Sequence, residues 1–141
     1  MKVSLILKRI IFSILGLMYI SGATQWLLQT FFQVDNGMGP EPLPAFIWIL
    51  RFHGTTSIAV LILFGYILRE HILPSWKIGR RKKSGLFLSA YLLLIVFTLP
   101  FLMYLTDENM KYTVVQIHTY LGLCLVLPFA IHLLALRIAQ S

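Results

Sequence analysis

With 58% hydrophobic and only 12% charged residues in a chain of 141, and a mean hydropathy of +0.82, this sequence is too apolar for a water-soluble domain, in which about a quarter of residues carry charge. The length allows one domain, and the lone Cys124 rules out a disulfide framework. The net charge of +7 invites a nucleic-acid reading, which the placement of the charges along the chain excludes below.

Four apolar segments each exceed the about 20 residues needed to cross about 30 Å of hydrocarbon. The first covers 10–32, behind Lys2, Lys8 and Arg9. A cationic start before an apolar stretch is also the layout of a signal peptide. Here the stretch continues through Trp26-Leu27-Leu28 with no clear small-x-small cleavage signal, so it reads as a span. The loop from Asp35 to Pro44 is dense in Gly and Pro. The second span covers 45–71 and is expected to stop at Pro74, whose ring and missing N–H oppose helix continuation. A short basic connection leads to the third span, 85–106, with Pro100 near its outer end. Thr106-Asp107-Glu108-Asn109 forms a tight turn before the fourth span, 113–139. Pro128 is expected to bend that span, because it leaves a carbonyl without its donor. Cys124, inside the fourth apolar run, is expected to be a small buried hydrophobe.

Short connections between spans predict an all-α, up-down-up-down membrane bundle of four helices forming a single transmembrane domain over 1–141. In that topology Lys2, Lys8, Arg9, Arg69, Lys77, Arg80, Arg81, Lys82, Lys83 and Arg137 fall on one side, against Arg51 and Lys111 on the other. Asp35, Glu41, Asp107 and Glu108 lie opposite the basic side, and only Glu70 lies on it. Cytoplasmic loops are enriched in Lys and Arg, so both termini are expected in the cytoplasm. The basic run at 80–83 is suited to anionic lipid headgroups. Topology therefore accounts for the positive charge, and no nucleic-acid partner is expected.

The chain's four histidines are confined to two spans: His53 and His71 on the second, His118 and His132 on the fourth. His53 and His71 are 18 residues apart, which is about five full turns of a straight α-helix; the 14 residues between His118 and His132 fall short of four turns by about 40°. Each pair thus lines one face of its helix. Both spans run inward, which places His53 with His118 at the outer level and His71 with His132 at the inner level. Diagonal helices of a four-helix bundle bring such pairs to opposite faces of a flat macrocycle, the arrangement that bis-imidazole haem ligation requires. All four histidines are therefore candidate iron ligands, for two b-type haems or for one on His53 and His118. Gly54 and Gly122 lie beside the outer pair and leave room for a porphyrin edge. Arg51 is a candidate partner for a haem propionate, or a snorkelling interfacial arginine. Thr56, Ser57 and Thr119 are candidates for orienting the second imidazole nitrogens. Phe64 and Phe129, each 11 residues past an outer histidine, are read as packing between the levels. The axial lengths do not match: at 1.5 Å per residue the inner and outer histidines are about 27 Å apart on one helix and about 21 Å apart on the other.

Arg51-Phe52-His53-Gly54, His71 with Trp76, the basic stretch into Ser84-Gly85, the acidic turn before the fourth span and the His118/His132 pair resemble a family of small bacterial four-helix membrane proteins over residues 45–135. The first helix matches only as an apolar span. More distantly, the fourth span is similar to the membrane cytochromes b of formate dehydrogenases and nickel-iron hydrogenases and to bacterial cytochrome b561. The resemblance implies two b-type haems, electron exchange with quinone or a partner redox protein, and the bacterial cytoplasmic membrane. It departs at one place. In the dehydrogenase-type subunits the first helix supplies an inner-haem ligand, whereas this first span contains no histidine, so His71 takes that role here.

The leading expectation is an electron-carrying membrane cytochrome b, an oxidoreductase subunit at most. The alternatives are a transition-metal transporter or sensor that uses the imidazoles directly, and a haem-free membrane assembly subunit. The leucines, valines, isoleucines and phenylalanines between the two levels, with no mid-membrane carboxylate, argue against a transport path. No constellation for hydrolytic or transferase chemistry is present.

Overall fold

A computed structural model describes residues 5–35, 37, 39–77 and 83–138 of the chain. Lys2, Arg80, Arg81, Lys82 and Ala139 lie outside the described residues. The elements in chain order are α1 (Leu5–Phe31), β1 (Gln33–Asp35), β2 (Pro40–Pro42), α2 (Ala45–Ile67), a π-helical turn (Leu68–Ile72), α3 (Leu73–Lys77), α4 (Lys83–Tyr104), α5 (Glu108–Cys124) and α6 (Val126–Ile138). They make four helical segments, Leu5–Phe31, Ala45–Ser75, Lys83–Tyr104 and Glu108–Ala135, each long and apolar enough to cross a membrane. Even the 22-residue segment reaches about 33 Å at 1.5 Å per residue. Helix is the form such sequences take because it satisfies every backbone N–H and C=O within one segment. The hydroxyls along the spans follow the same rule: Thr24, Thr55, Thr56 and Ser89 each donate to the carbonyl four residues back.

The chain divides into two compact units, Met1–Pro74 and Ser75–Ser141. In the first, α1 and α2 form an antiparallel pair: Ser21 meets His53, and Leu7 and Ile14 share an apolar groove with Ala59, Ile62, Leu63 and Tyr66. A short antiparallel ribbon joins the two helices, pairing Gln33 with Pro42, Val34 with Glu41 and Asp35 with Pro40. Its tip takes positive φ at Gly37 (80°) and Gly39 (121°), conformations that favour glycine. The Asp35 carboxylate accepts from the Gly37 N–H at 2.9 Å. The ribbon is one feature that the density of turn residues did not specify.

In the second unit α4 runs antiparallel to α5 and α6. Thr98 meets His118, the Tyr91 hydroxyl donates to the Leu121 carbonyl at 2.9 Å, and Ser84 meets His132. Asp107 caps α5, its carboxylate accepting from the Met110 N–H at 2.8 Å, which starts this span at Glu108 rather than at 113. Capping satisfies one of the orphan donors of the first turn.

Both long spans that carry histidines are irregular, each just before a proline. The second segment does not stop at Pro74. It passes through the π turn Leu68–Ile72 and continues to Lys77. Pro74 cannot donate to the carbonyl four residues back, and the wider π winding just before it takes up the mismatch. The fourth span breaks as expected near Pro128: Leu125 separates α5 from α6, and its N–H bonds the Gly122 carbonyl at 3.2 Å in a tighter three-residue turn.

Apart from Pro128, no aliphatic or aromatic side chain among the described residues is buried, whereas Ser21 and Thr98 are, at 6% and 7% exposure. Cys124 is likewise an exposed free thiol and not the buried hydrophobe expected. It sits at the break between α5 and α6.

Candidate functional site

Each histidine is placed by its own helix, but for three of the four a hydroxyl from the preceding span meets the ring. His53, half-buried on α2, points its Nδ1 at the Ser21 hydroxyl of α1, 2.9 Å away. Ser21 in turn donates to the Met18 carbonyl at 3.0 Å. Gly22 lies against the same ring: a Cβ built there would stand 2.9 Å from His53 Cε1 and 3.4 Å from Nδ1. Only a residue without a side chain lets the imidazole approach α1 this closely.

The second unit repeats the device twice. His118 on α5 meets Thr98 of α4, with 2.6 Å between Nδ1 and the hydroxyl, and Thr98 donates to the Ile95 carbonyl at 2.6 Å. His132 on α6 meets Ser84 at 3.3 Å, and a Cβ on the adjacent Gly85 would stand 3.4 Å from His132 Cε1. The dipeptides Ser21-Gly22 and Ser84-Gly85 thus serve two histidines in the same way, hydroxyl to Nδ1 and glycine to the Cε1 edge. Thr98 and Ser84 are 14 residues apart on α4, the spacing of His118 and His132 on the fourth span.

Midway between those two contacts stands Tyr91, seven residues from Ser84 and seven from Thr98. Its hydroxyl takes the Leu121 carbonyl. An unbroken α-helix would give that carbonyl the Leu125 N–H, which is diverted to Gly122. Tyr91 therefore closes the hydrogen-bond gap left by the break.

His71 is different. It is exposed and lies within the π turn, next to an Arg69–Glu70 ion pair of 3.5 Å. Its phase relation to His53 assumed 100° per residue throughout, and the π turn does not keep that pitch. Arg51 is exposed on α2, its guanidinium 5.1 Å from the centre of the Trp48 ring, a cation–π contact. A Cβ on Gly54 or Gly122 would meet no protein atom within 4 Å, so packing within the protein does not demand glycine at either position. Phe64 and Phe129 are half-buried.

Three hydroxyls that the sequence did not single out meet imidazole nitrogens. Thr56 and Ser57 donate to the carbonyls of Phe52 and Gly54 on their own helix. The hydroxyls at Nδ1 of His53, His132 and His118 belong to Ser21, Ser84 and Thr98, each on a facing helix. Two signals pointed to them: Ser-Gly occurs only at 21–22 and 84–85, and Ser84, Tyr91 and Thr98 recur every seventh residue.

Among the described residues no three His, Cys, Asp or Glu side chains converge as a metal cluster. A bis-histidine haem needs only two imidazoles, each with one ring nitrogen held and the other presented. The hydroxyl contacts at Nδ1 of His53, His118 and His132 supply the held nitrogen. Comparison with protein-family models, curated proteins and solved structures returns no match to this chain.

Proposed function

We propose that this protein is a b-type membrane cytochrome whose histidines would hold haem through Nε2. The observation that carries the reading is the hydroxyl from a facing helix at Nδ1 of three of the four histidines. Ligating histidines are held this way, through the ring nitrogen that does not bind the metal, which fixes tautomer and orientation. Held by these histidines, a haem would supply one-electron chemistry and so suit electron carriage.

In this reading His53 and His118 form the outer pair and His71 and His132 the inner pair, an assignment resting on the order and direction of the four spans in the sequence. Gly54 and Gly122, which protein packing does not require, give room beside the outer ligands. Arg51 is the candidate for a propionate at the outer surface. The helix irregularities act in the direction the pairing needs. A π turn advances less along the axis per residue, shortening the 18-residue interval, and the tight turn at Leu125 lengthens the 14-residue one. Both changes narrow the mismatch of about 6 Å expected for straight helices. The charge pattern supports cytoplasmic termini in a bacterial inner membrane, and the sequence resemblance supports quinone or a redox protein as electron partner.

The test is a reduced-minus-oxidised absorption spectrum of the purified protein with haem quantified per chain. A b-type α band with two haems is the expected result, and one haem would restrict the site to the outer pair. No α band after expression with ample haem refutes the proposal. Bound zinc, copper or nickel in place of haem would favour direct use of the imidazoles as metal ligands.

A further inference from the structure

We infer that Ser21 and Thr98 are positioning residues that lock His53 and His118 in the Nδ1–H tautomer, making Nε2 the ligating nitrogen. The haem reading enters only in what Nε2 binds; the tautomer assignment stands on the hydrogen bonds themselves.

A hydroxyl has one proton to give, and a main-chain carbonyl can only accept. Ser21 gives its proton to the Met18 carbonyl at 3.0 Å, and Thr98 gives its own to the Ile95 carbonyl at 2.6 Å. With those protons committed, the contacts of 2.9 Å to His53 Nδ1 and 2.6 Å to His118 Nδ1 are hydrogen bonds only if the ring nitrogen donates. A neutral imidazole carries a single N–H, so the lone pair is on Nε2 in both rings. Ser84 meets His132 at the longer distance of 3.3 Å, and that ring stays outside the assignment.

The chain Nδ1–H···Oγ–H···O=C has a second property. It ends on an amide carbonyl, which does not take up a proton near neutral pH. A carboxylate in that place would draw the Nδ1 proton toward itself and give the imidazole anionic character, raising its basicity as a ligand. The hydroxyl relay orients the ring as firmly and gives the proton nowhere to go. The burial of Ser21 and Thr98, alone among the described polar residues, keeps water from substituting for either partner.

The tautomers are read directly in the cofactor-free protein in detergent micelles, labelled with ¹⁵N-histidine, from the ring-nitrogen shifts and two-bond couplings. His53 and His118 are expected as Nδ1–H, with Nε2 giving the shift of an unprotonated nitrogen. Thr98→Val, close to isosteric but without the hydroxyl, should release His118 toward the Nε2–H form that free imidazoles prefer, while Thr98→Ser retains Nδ1–H. Loss of such a partner weakens metal affinity by about 10- to 100-fold, so haemin titration of Thr98→Val should show a drop of that order, with rescue in Thr98→Ser. An Nε2–H signal for His118 in the parent overturns the inference, as does a Thr98→Val ring that stays Nδ1–H. Should Thr98→Val fail to fold, the parent spectrum alone still decides. Nδ1–H in a protein that binds no haem would refute the cytochrome reading and leave the tautomer assignment intact.

Discussion

Replacing Gly22 with alanine tests how tightly His53 is held. The new Cβ would lie 2.9 Å from Cε1 of the ring, against the 3.5–4.0 Å or so at which carbon atoms sit comfortably. The imidazole must retreat by about 0.6–1.1 Å. It is not a loose chain end, because Nδ1 is fixed at 2.9 Å from the Ser21 hydroxyl. A retreat of that size stretches the bond to about 3.5 Å or more, where it ceases to count. Overpacking of this kind costs about 1–3 kcal/mol, equivalent to roughly 5- to 150-fold in an affinity. Helix propensity works the other way, favouring alanine over glycine by about 1 kcal/mol, so a loss would appear despite it. Gly85→Ala is the internal control: its Cβ would be 3.4 Å from His132 Cε1, an ordinary contact that asks for almost no movement. Haemin titration of both variants, with circular dichroism to check folding, should show a marked loss of affinity for Gly22→Ala and little change for Gly85→Ala. Equal affinity in Gly22→Ala and the parent, or the opposite ranking of the two variants, would refute the reasoning.

Other consequences follow from the same geometry. His71→Ala should lower haem content from two to one per chain while the remaining α band keeps its position; a protein still holding two haems would remove His71 from the ligand set. Tyr91→Phe leaves the part-buried Leu121 carbonyl without this donor, and thermal denaturation in detergent should show a loss of about 1 kcal/mol, the net worth of a typical hydrogen bond. Pro128→Ala restores an N–H for the Cys124 carbonyl and favours a continuous fourth span; haem bound through His132 should fall while the His118 site persists, as haem quantification in a His71→Ala background versus wild type will show. Reporter fusions should place both termini in the cytoplasm and the 33–44 loop outside, following the lysine and arginine bias.

Hydropathy made the four spans legible because length and apolarity are properties of each segment alone. Their ends moved where local chemistry intervened: Asp107 caps the last span early, and the π turn carries the second past Pro74. The break near Pro128 was readable because the missing N–H is a property of one residue. The imidazole partners were not, since helical phase relates residues within a helix and says nothing of which neighbour faces them. Ser21 and Thr98 stand in apolar runs, where a hydroxyl ordinarily turns back on its own carbonyl. Both do so, and it is the same oxygen that then receives the histidine. The five-turn phase argument for His71 depended on uniform pitch, which the residues around Leu68–Ile72 do not keep.

The fourth span is two rods meeting at Leu125, whereas its partners Ser84, Tyr91 and Thr98 all ride on the single helix α4. Helix α4 therefore acts as a ruler. It sets the distance between the two imidazole levels, and the jointed span conforms to it, each histidine seated on its own rod. Sequence change near one histidine can then adjust that level without disturbing the other, whereas a one-residue insertion in α4 between Gly85 and Thr98 would shift their registers relative to each other.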